Sequence, residues 1–363
     1  MKKHIVLIAG VIGGAEKRFF DIFRASYERD SDVFLVISSG LLSFFKSEYD
    51  LKKYQNNIIT IELDDWSPIK FIFKFYNQIL RRSDPLDVFH YPTKPLFFLH
   101  LLTRRKFTIS LCNCHASPSL SLVNKPLLLQ YFAIFFAEKI DVLNPEIHAD
   151  VIAKLPKLID KISLTPGGTF VYPCDFDIQV KDRVFSYVGR LEKDKGLDVM
   201  FKIIPWIHKI DSSISFEIYG EGALRGEVEE KVRSLQALGM NVDYHGYVEI
   251  REVLRKIWCV FSLQTITNFP SRVVAESLLN GCEVIVLDSG DSRNFGDPSG
   301  LYYLKNDLSD LEVVVKGVVS RLSYTNTNSM REIAQSATHE FCSESYIDYF
   351  QQIFSSDYQS TLE

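Results

Sequence analysis

SYVGRLEKDKGLDVMFKII, residues 186–204, begins as an apolar strand, turns at Gly189 and enters a helix after Lys195 and Gly196. Strand, loop and helix N-terminus in that order bring unpaired backbone N–H groups and the positive end of the helix dipole to one point, which attracts an anion. Arg190 and Lys195 add two full charges there, as a diphosphate requires. Taken alone, the loop also reads as a solvated turn in which Arg190 or Lys195 pairs with Glu192 or Asp194.

The pattern around this segment supplies its fold. Strand-like runs HIVLIAG, DVFLVIS, NIITIEL, DVFHYP and FTISLCN recur between helical stretches in the first half of the chain. VFSYVGR, ISFEIYG, NVDYHGY, CVFSLQ and CEVIVLD restart the pattern after about residue 180. Apolar strands alternating with helices imply parallel sheets covered on both faces, and the restart implies two doubly wound α/β domains. The join falls in LTPGGTFVYPCDFD, residues 164–177, which is rich in Gly and Pro and lacks periodicity. The expected division is 1–172, 173–345 and a last helix within 346–363, where Tyr346, Tyr349, Phe350 and Ile353 fall at helical spacing. That helix is read as returning to pack on the first domain.

Composition narrows the class. The chain has 363 residues, 46% hydrophobic and 24% charged, enough for two cores, and its formal net charge of −5 argues against general affinity for nucleic acid. Six cysteines, at 112, 114, 174, 259, 282 and 342, form no CxxC pair and suit reduced thiols in a cytoplasmic protein. The run LLLQYFAIFFA, residues 127–137, is far shorter than the about 20 residues that span a bilayer. IKFIFKFYNQILRR, residues 69–82, combines Phe71, Phe75 and Ile79 with Lys70, Lys74, Arg81 and Arg82. It reads either as an interfacial helix drawn to an anionic membrane or as a core-packing helix with a basic outer face.

Two more glycine turns follow strands: GGAEKRFF at 13–20, with Gly13 and Gly14, and YGEGALRGEVEE at 219–230, with Gly220 and Gly222. Neither is a dinucleotide fingerprint or a P-loop, but ligands of doubly wound sheets gather at such strand ends. His115, in LCNCHASPSL, also closely follows a strand. In TNFPSRVVAESLLNGCEVIV, residues 267–286, a short helix after Pro270 sets Arg272, Glu276 and Asn280 on one face. An exposed Arg272–Glu276 pair there would contribute only about a few tenths of a kcal/mol. A carboxylate one and a half turns from a helix start at a sheet edge could instead accept hydrogen bonds from a sugar diol.

The order of these pieces, GGAE, VGRLEKDKGLD, YGEG, HGYV and NFPSRVVAESLLNGCEVIV, resembles the retaining family 4 glycosyltransferases of GT-B fold, nearest to bacterial enzymes of O-antigen, lipopolysaccharide and capsule polysaccharide synthesis. The resemblance runs almost continuously over about 164–297 and touches the first domain at scattered points. It implies two Rossmann-like domains facing across a cleft, with a UDP- or GDP-linked sugar as donor, transfer with retention, and no metal or other cofactor. It further implies a lipid-linked saccharide acceptor at the inner face of the cell membrane. By the resemblance, Gly189, Arg190 and Lys195 hold the diphosphate, Glu276 bonds the ribose and faces the donor, and Gly13, Gly14, Gly220 and Gly222 approach the donor. His115 lies near the reacting sugar, Tyr247 and Val248 near the base, and Asn268 beside the donor. The family's first acidic residue is replaced here by Thr267. A nucleotide-sugar epimerase or phosphorylase on the same fold, or a non-catalytic sugar-nucleotide-binding subunit, are the alternatives.

Overall fold

A computed structural model describes the chain except residues 9–11, 63–67, 93–96, 112–132, 174–177, 179, 266–267, 323–326 and 355–363. It divides into two compact units, Met1–Tyr172 with Ser343–Glu363, and Pro173–Cys342.

Among the described residues the first unit has seven strands: β1 Lys3–Leu7, β2 Val33–Ser38, β3 Ile58–Ile61, β4 Val88–Tyr91, β5 Phe107–Leu111, β6 Ile140–Val142 and β7 Ile162–Leu164. They are parallel throughout, in the order β3-β2-β1-β4-β5-β6-β7. Alternation along β1 and β2 divides the core in two. Ile5, Leu7, Leu35 and Ile37 face helices α1 (Gly14–Arg29) and α2 (Ser39–Glu48), together with the last helix of the chain, Glu344–Phe354. Val6 and Val36 face the opposite layer, which contains α3 (Pro68–Gln78), α4 (Phe97–Thr103) and α5 (Pro145–Lys154).

Among its described residues the second unit has six parallel strands, β8 Val184–Val188, β9 Ser215–Tyr219, β10 Val242–Gly246, β11 Cys259–Ser262, β12 Glu283–Asp288 and β13 Leu301–Lys305, ordered β10-β9-β8-β11-β12-β13. Their helices are α6 (Leu197–Ile210), α7 (Arg225–Ala237), α8 (Ile250–Leu254), α9 (Arg272–Leu279), α10 (Leu311–Leu322) and α11 (Thr327–Phe341). The order reverses between β8 and β11, the switch point beyond whose carboxyl ends such sheets bind ligands. All ten strand-like runs of the sequence are strands here. β6, β7 and β13 are additional; β6 and β7 are only three residues each, too short to show periodicity.

The last helix, α12 (Glu344–Phe354), is held on the first unit by apolar burial of Ile347, Phe350 and Phe354 and by a buried polar centre. Asp141, fully buried on β6, accepts from Ser110 Oγ at 2.5 Å and Tyr349 Oη at 2.7 Å and lies 3.3 Å from Arg18 Nη2. Arg18 Nε in turn donates to Tyr346 Oη at 2.6 Å. Despite burial, the nearby Arg18 guanidinium and these hydroxyl donors hold the Asp141 carboxyl below its usual range.

Among the described residues of this unit, three imidazoles are buried. Burial lowers His4 to about 4 and both His90 and His100 to about 3. These rings are neutral in the fold, whereas the unfolded chain binds protons once the pH falls below about 6.5. Stability is therefore unaffected above that pH and declines from about 6.5 down to the folded values, by on the order of 1 kcal/mol per pH unit for each ring. Thermal unfolding between pH 7.5 and 5 is expected to show this decline. A flat profile would mean that the rings titrate in the fold as they do in the unfolded chain.

Candidate functional site

The site is assembled at the switch point of the second unit. β8 ends at Val188, and the chain turns through Gly189, Arg190 and Leu191 into a single turn, Lys193–Lys195, before α6. Gly196 takes φ +72°, and a Cβ there would lie 1.8 Å from the Leu263 carbonyl, so only glycine lets this loop pass the end of β11. β9 and β10 brace the loop from the other side. Gly189 N–H donates to the Tyr219 carbonyl at 3.0 Å, Leu191 N–H to Glu221 O at 3.0 Å, and Gly220 N–H to Gly246 O at 2.7 Å.

Gly220 and Gly222 acquire a definite reason in this arrangement. A Cβ on Gly220 would meet the Gly189 carbonyl at 1.8 Å, and one on Gly222 the Leu191 carbonyl at 2.5 Å. Their missing side chains admit the backbone of the Gly189–Leu191 turn. Arg190 is 61% exposed and pairs with Glu192 at 3.0 Å, while Lys195 is 16% exposed and pairs with Asp194 at 3.1 Å. Both local pairs weighed from the sequence are thus present, and they leave the two cations at the carboxyl end of β8. Beneath them, Tyr187 Oη donates to the Arg190 carbonyl at 2.7 Å.

The β11 side is more enclosed. Asn268 is buried: its Oδ1 accepts from Ser262 Oγ at 3.0 Å and Gln264 Nε2 at 2.8 Å, and its Nδ2 donates to Ser262 O at 2.8 Å. Buried Asp291 accepts the backbone N–H groups of Asn268 and Phe269 at 2.7 and 3.0 Å. Asn268, expected beside the donor, therefore uses its side chain to shape the loop. A cis Phe269–Pro270 bond leads to Ser271, whose hydroxyl caps α9 by accepting from Val274 N–H.

Glu276 is not part of a surface pair. Its Oε1 accepts from Arg272 Nε at 2.7 Å, and both side chains are only 7% exposed. Among the described residues no donor reaches its Oε2. The exposed ion pair that helical spacing allowed as one reading is thereby corrected to a buried one. Helical spacing put the two on one face, but burial of that face comes from packing.

Tyr247 is 61% exposed and Val248 half-buried, past the end of β10, where Tyr219 and His245 stack with centroids 4.8 Å apart. In the first unit, Gly13 and Gly14 are exposed at the N-terminus of α1, and Glu16 reaches back to accept from Gly13 N–H at 2.9 Å. His115 and Thr267 lie outside the described residues. Among the described residues, no cluster of three or more His, Cys, Asp or Glu could hold a metal ion. Sequence reasoning missed Gln264 and Asp291; each is an unremarked polar residue just past a strand end, a signal shared by many ordinary loop residues.

Two parallel-sheet units with these strand orders make a GT-B fold. Residues 182–311, which lie within the second unit, match the family described as glycosyl transferases group 1. Over 143 residues the chain is 30% identical to the GalNAc-α-(1→4)-GalNAc-α-(1→3)-diNAcBac-PP-undecaprenol α-1,4-N-acetyl-D-galactosaminyltransferase of Campylobacter jejuni. That alignment takes in 34% of this chain and spans 39% of the relative's length. Anabaena Alr3699/HepE, solved in complex with UDP, superposes with a TM-score of 0.74 at 14% identity over 98% of this chain and 100% of that one. Staphylococcus aureus TarM, solved as a point mutant with fondaparinux, α-GlcNAc-glycerol and UDP, gives 0.68 at 12% identity over 98% and 100%. At such identities these likenesses establish the fold.

Proposed function

We propose that this protein is a retaining glycosyltransferase that moves a sugar from a UDP- or GDP-linked donor to a lipid-linked saccharide acceptor in bacterial surface polysaccharide synthesis. The observation that carries this reading is the convergence, at one switch point, of the Lys195 loop and the helix bearing Glu276, inside the segment that matches group 1 glycosyltransferases. Lys195, Arg190 and the start of α6 supply positive potential for the charge that develops on a leaving diphosphate. Glu276 Oε2 supplies a fixed acceptor for ribose hydroxyls. The leaving phosphate takes the acceptor's hydroxyl proton, as the resemblance to the retaining family 4 enzymes implies. The Campylobacter relative, named for an undecaprenyl-linked acceptor, supports the lipid-linked part of the proposal.

Arg190→Ala and Lys195→Ala are each expected to weaken UDP or GDP binding by about 1–3 kcal/mol, the effect of losing a charge-assisted bond. Titration calorimetry over both nucleotides measures this and identifies the base. Parent-like binding by both variants would remove the phosphate assignment. Nucleotide binding without transfer to any lipid-linked saccharide would favour the non-catalytic alternative.

The membrane part of the reading changes in detail. Phe75 of α3 and Ile79 just after it are buried against the sheet, so this part of the apolar stripe is core; the side chains of Lys70 and Phe71 lie outside the described residues. The outer surface of the same layer carries Phe73 at 69% and Leu102 at 80% exposure, with Tyr76, Leu101, Phe135 and Phe136 also exposed. Among the described residues, α1, α2 and α12 on the opposite face expose no large apolar side chain. Arg81, Arg82 and Arg104 at the helix ends of the apolar layer are exposed and suit anionic headgroups. No helix among the described residues is long and apolar enough to cross a membrane. Flotation is expected with phosphatidylglycerol vesicles and not with phosphatidylcholine ones, and to weaken in Phe73→Ser/Leu102→Ser. Equal behaviour with both lipids would end this part of the proposal.

A further inference from the structure

We propose that Gln264 and Asn268 form a neutral amide relay that positions Lys195 for a diphosphate, an inference that rests on the donor-site reading above. A lysine stem has four rotatable carbons and loses substantial rotamer entropy on binding unless it is held beforehand. Here Lys195 Nζ is held twice, by Gln264 Oε1 at 2.7 Å and Asp194 Oδ2 at 3.1 Å. Among the described residues its third N–H has no protein acceptor. The holder comes from the other side of the switch point: Lys195 follows β8 and Gln264 follows β11.

The polarity of the relay is set by backbone. Asn268 Nδ2 is committed to the Ser262 carbonyl, so Asn268 Oδ1 is the acceptor on its other side. Gln264 must then present its N–H to that oxygen, at 2.8 Å, and its carbonyl to Lys195. Asp291 fixes the near end by binding the Asn268 backbone N–H. An amide at position 264 anchors the ammonium without cancelling its charge. Asp194, 32% exposed, is a solvent-screened partner that an arriving anion can displace. The relay therefore keeps the Lys195 ammonium in place while the exchangeable carboxylate leaves.

A double-mutant cycle tests this with UDP and GDP as probes. Gln264→Met, of nearly the same length, is expected to bind the better nucleotide on the order of tenfold more weakly while its thermal midpoint stays near the parent's. Gln264→Glu is expected to be at least as weak, because it places a competing anion on Nζ. In a Lys195→Ala background, Gln264→Met is expected to add nothing. Parent-like affinity for Gln264→Met, or the same tenfold loss persisting without Lys195, would overturn the relay and leave the donor site standing. A parent that binds neither UDP nor GDP would overturn the donor site and the relay together.

Discussion

Glu276→Gln is expected to fold and to lose on the order of a hundredfold in kcat/KM for sugar transfer. The amide keeps the size of the side chain and can still accept from Arg272 Nε, so the packing of α9 survives with a lower midpoint. It removes the charge and turns one of the two acceptor oxygens into a donor, and Oε2 is the oxygen that no described residue donates to. A group that bonds the donor throughout the reaction and one that acts only in the transition state differ in kinetics: loss of the first raises KM, loss of the second lowers kcat. Ribose recognition predicts the KM effect together with weaker UDP binding. Unchanged turnover and UDP affinity would make Glu276 a purely structural partner of Arg272.

Arg272→Ala is expected to destabilise the second unit by about 3–5 kcal/mol, because it strands a carboxylate in a site where both partners are only 7% exposed. Chemical denaturation followed by fluorescence measures this. The pair Arg272→Ala/Glu276→Gln is expected to recover part of the loss, since a neutral amide needs no counter-charge. A midpoint equal to the parent's in Arg272→Ala alone would mean that the buried pair contributes little to stability.

Much of the candidate site follows from local pattern. Ten strands, the Gly189 and Gly220 turns and the α9 start could each be read from a few adjacent residues, because turn chemistry and a two-residue strand period are local properties. The same locality explains what was missed. β6 and β7, at three residues apiece, exist because they extend a sheet already formed by β5. Glycine looks the same in sequence whether a ligand or another loop approaches it. For Gly220 and Gly222 the approaching atoms are the carbonyls of Gly189 and Leu191, some thirty residues earlier in the chain.

By itself, then, the sequence determined two restarted α/β patterns, the strand-to-helix turns that gather cations, and the one-face spacing of Arg272 with Glu276. Those depend on backbone preferences and side-chain periods within a few residues. Tertiary structure alone decided that the Arg272–Glu276 pair is buried, that Asn268 is consumed by its own loop, and that Gln264 reaches Lys195. Each of these is a contact or a burial set by neighbours far away in sequence. A buried charge or a shared hydrogen bond has its energy only once those neighbours exclude water.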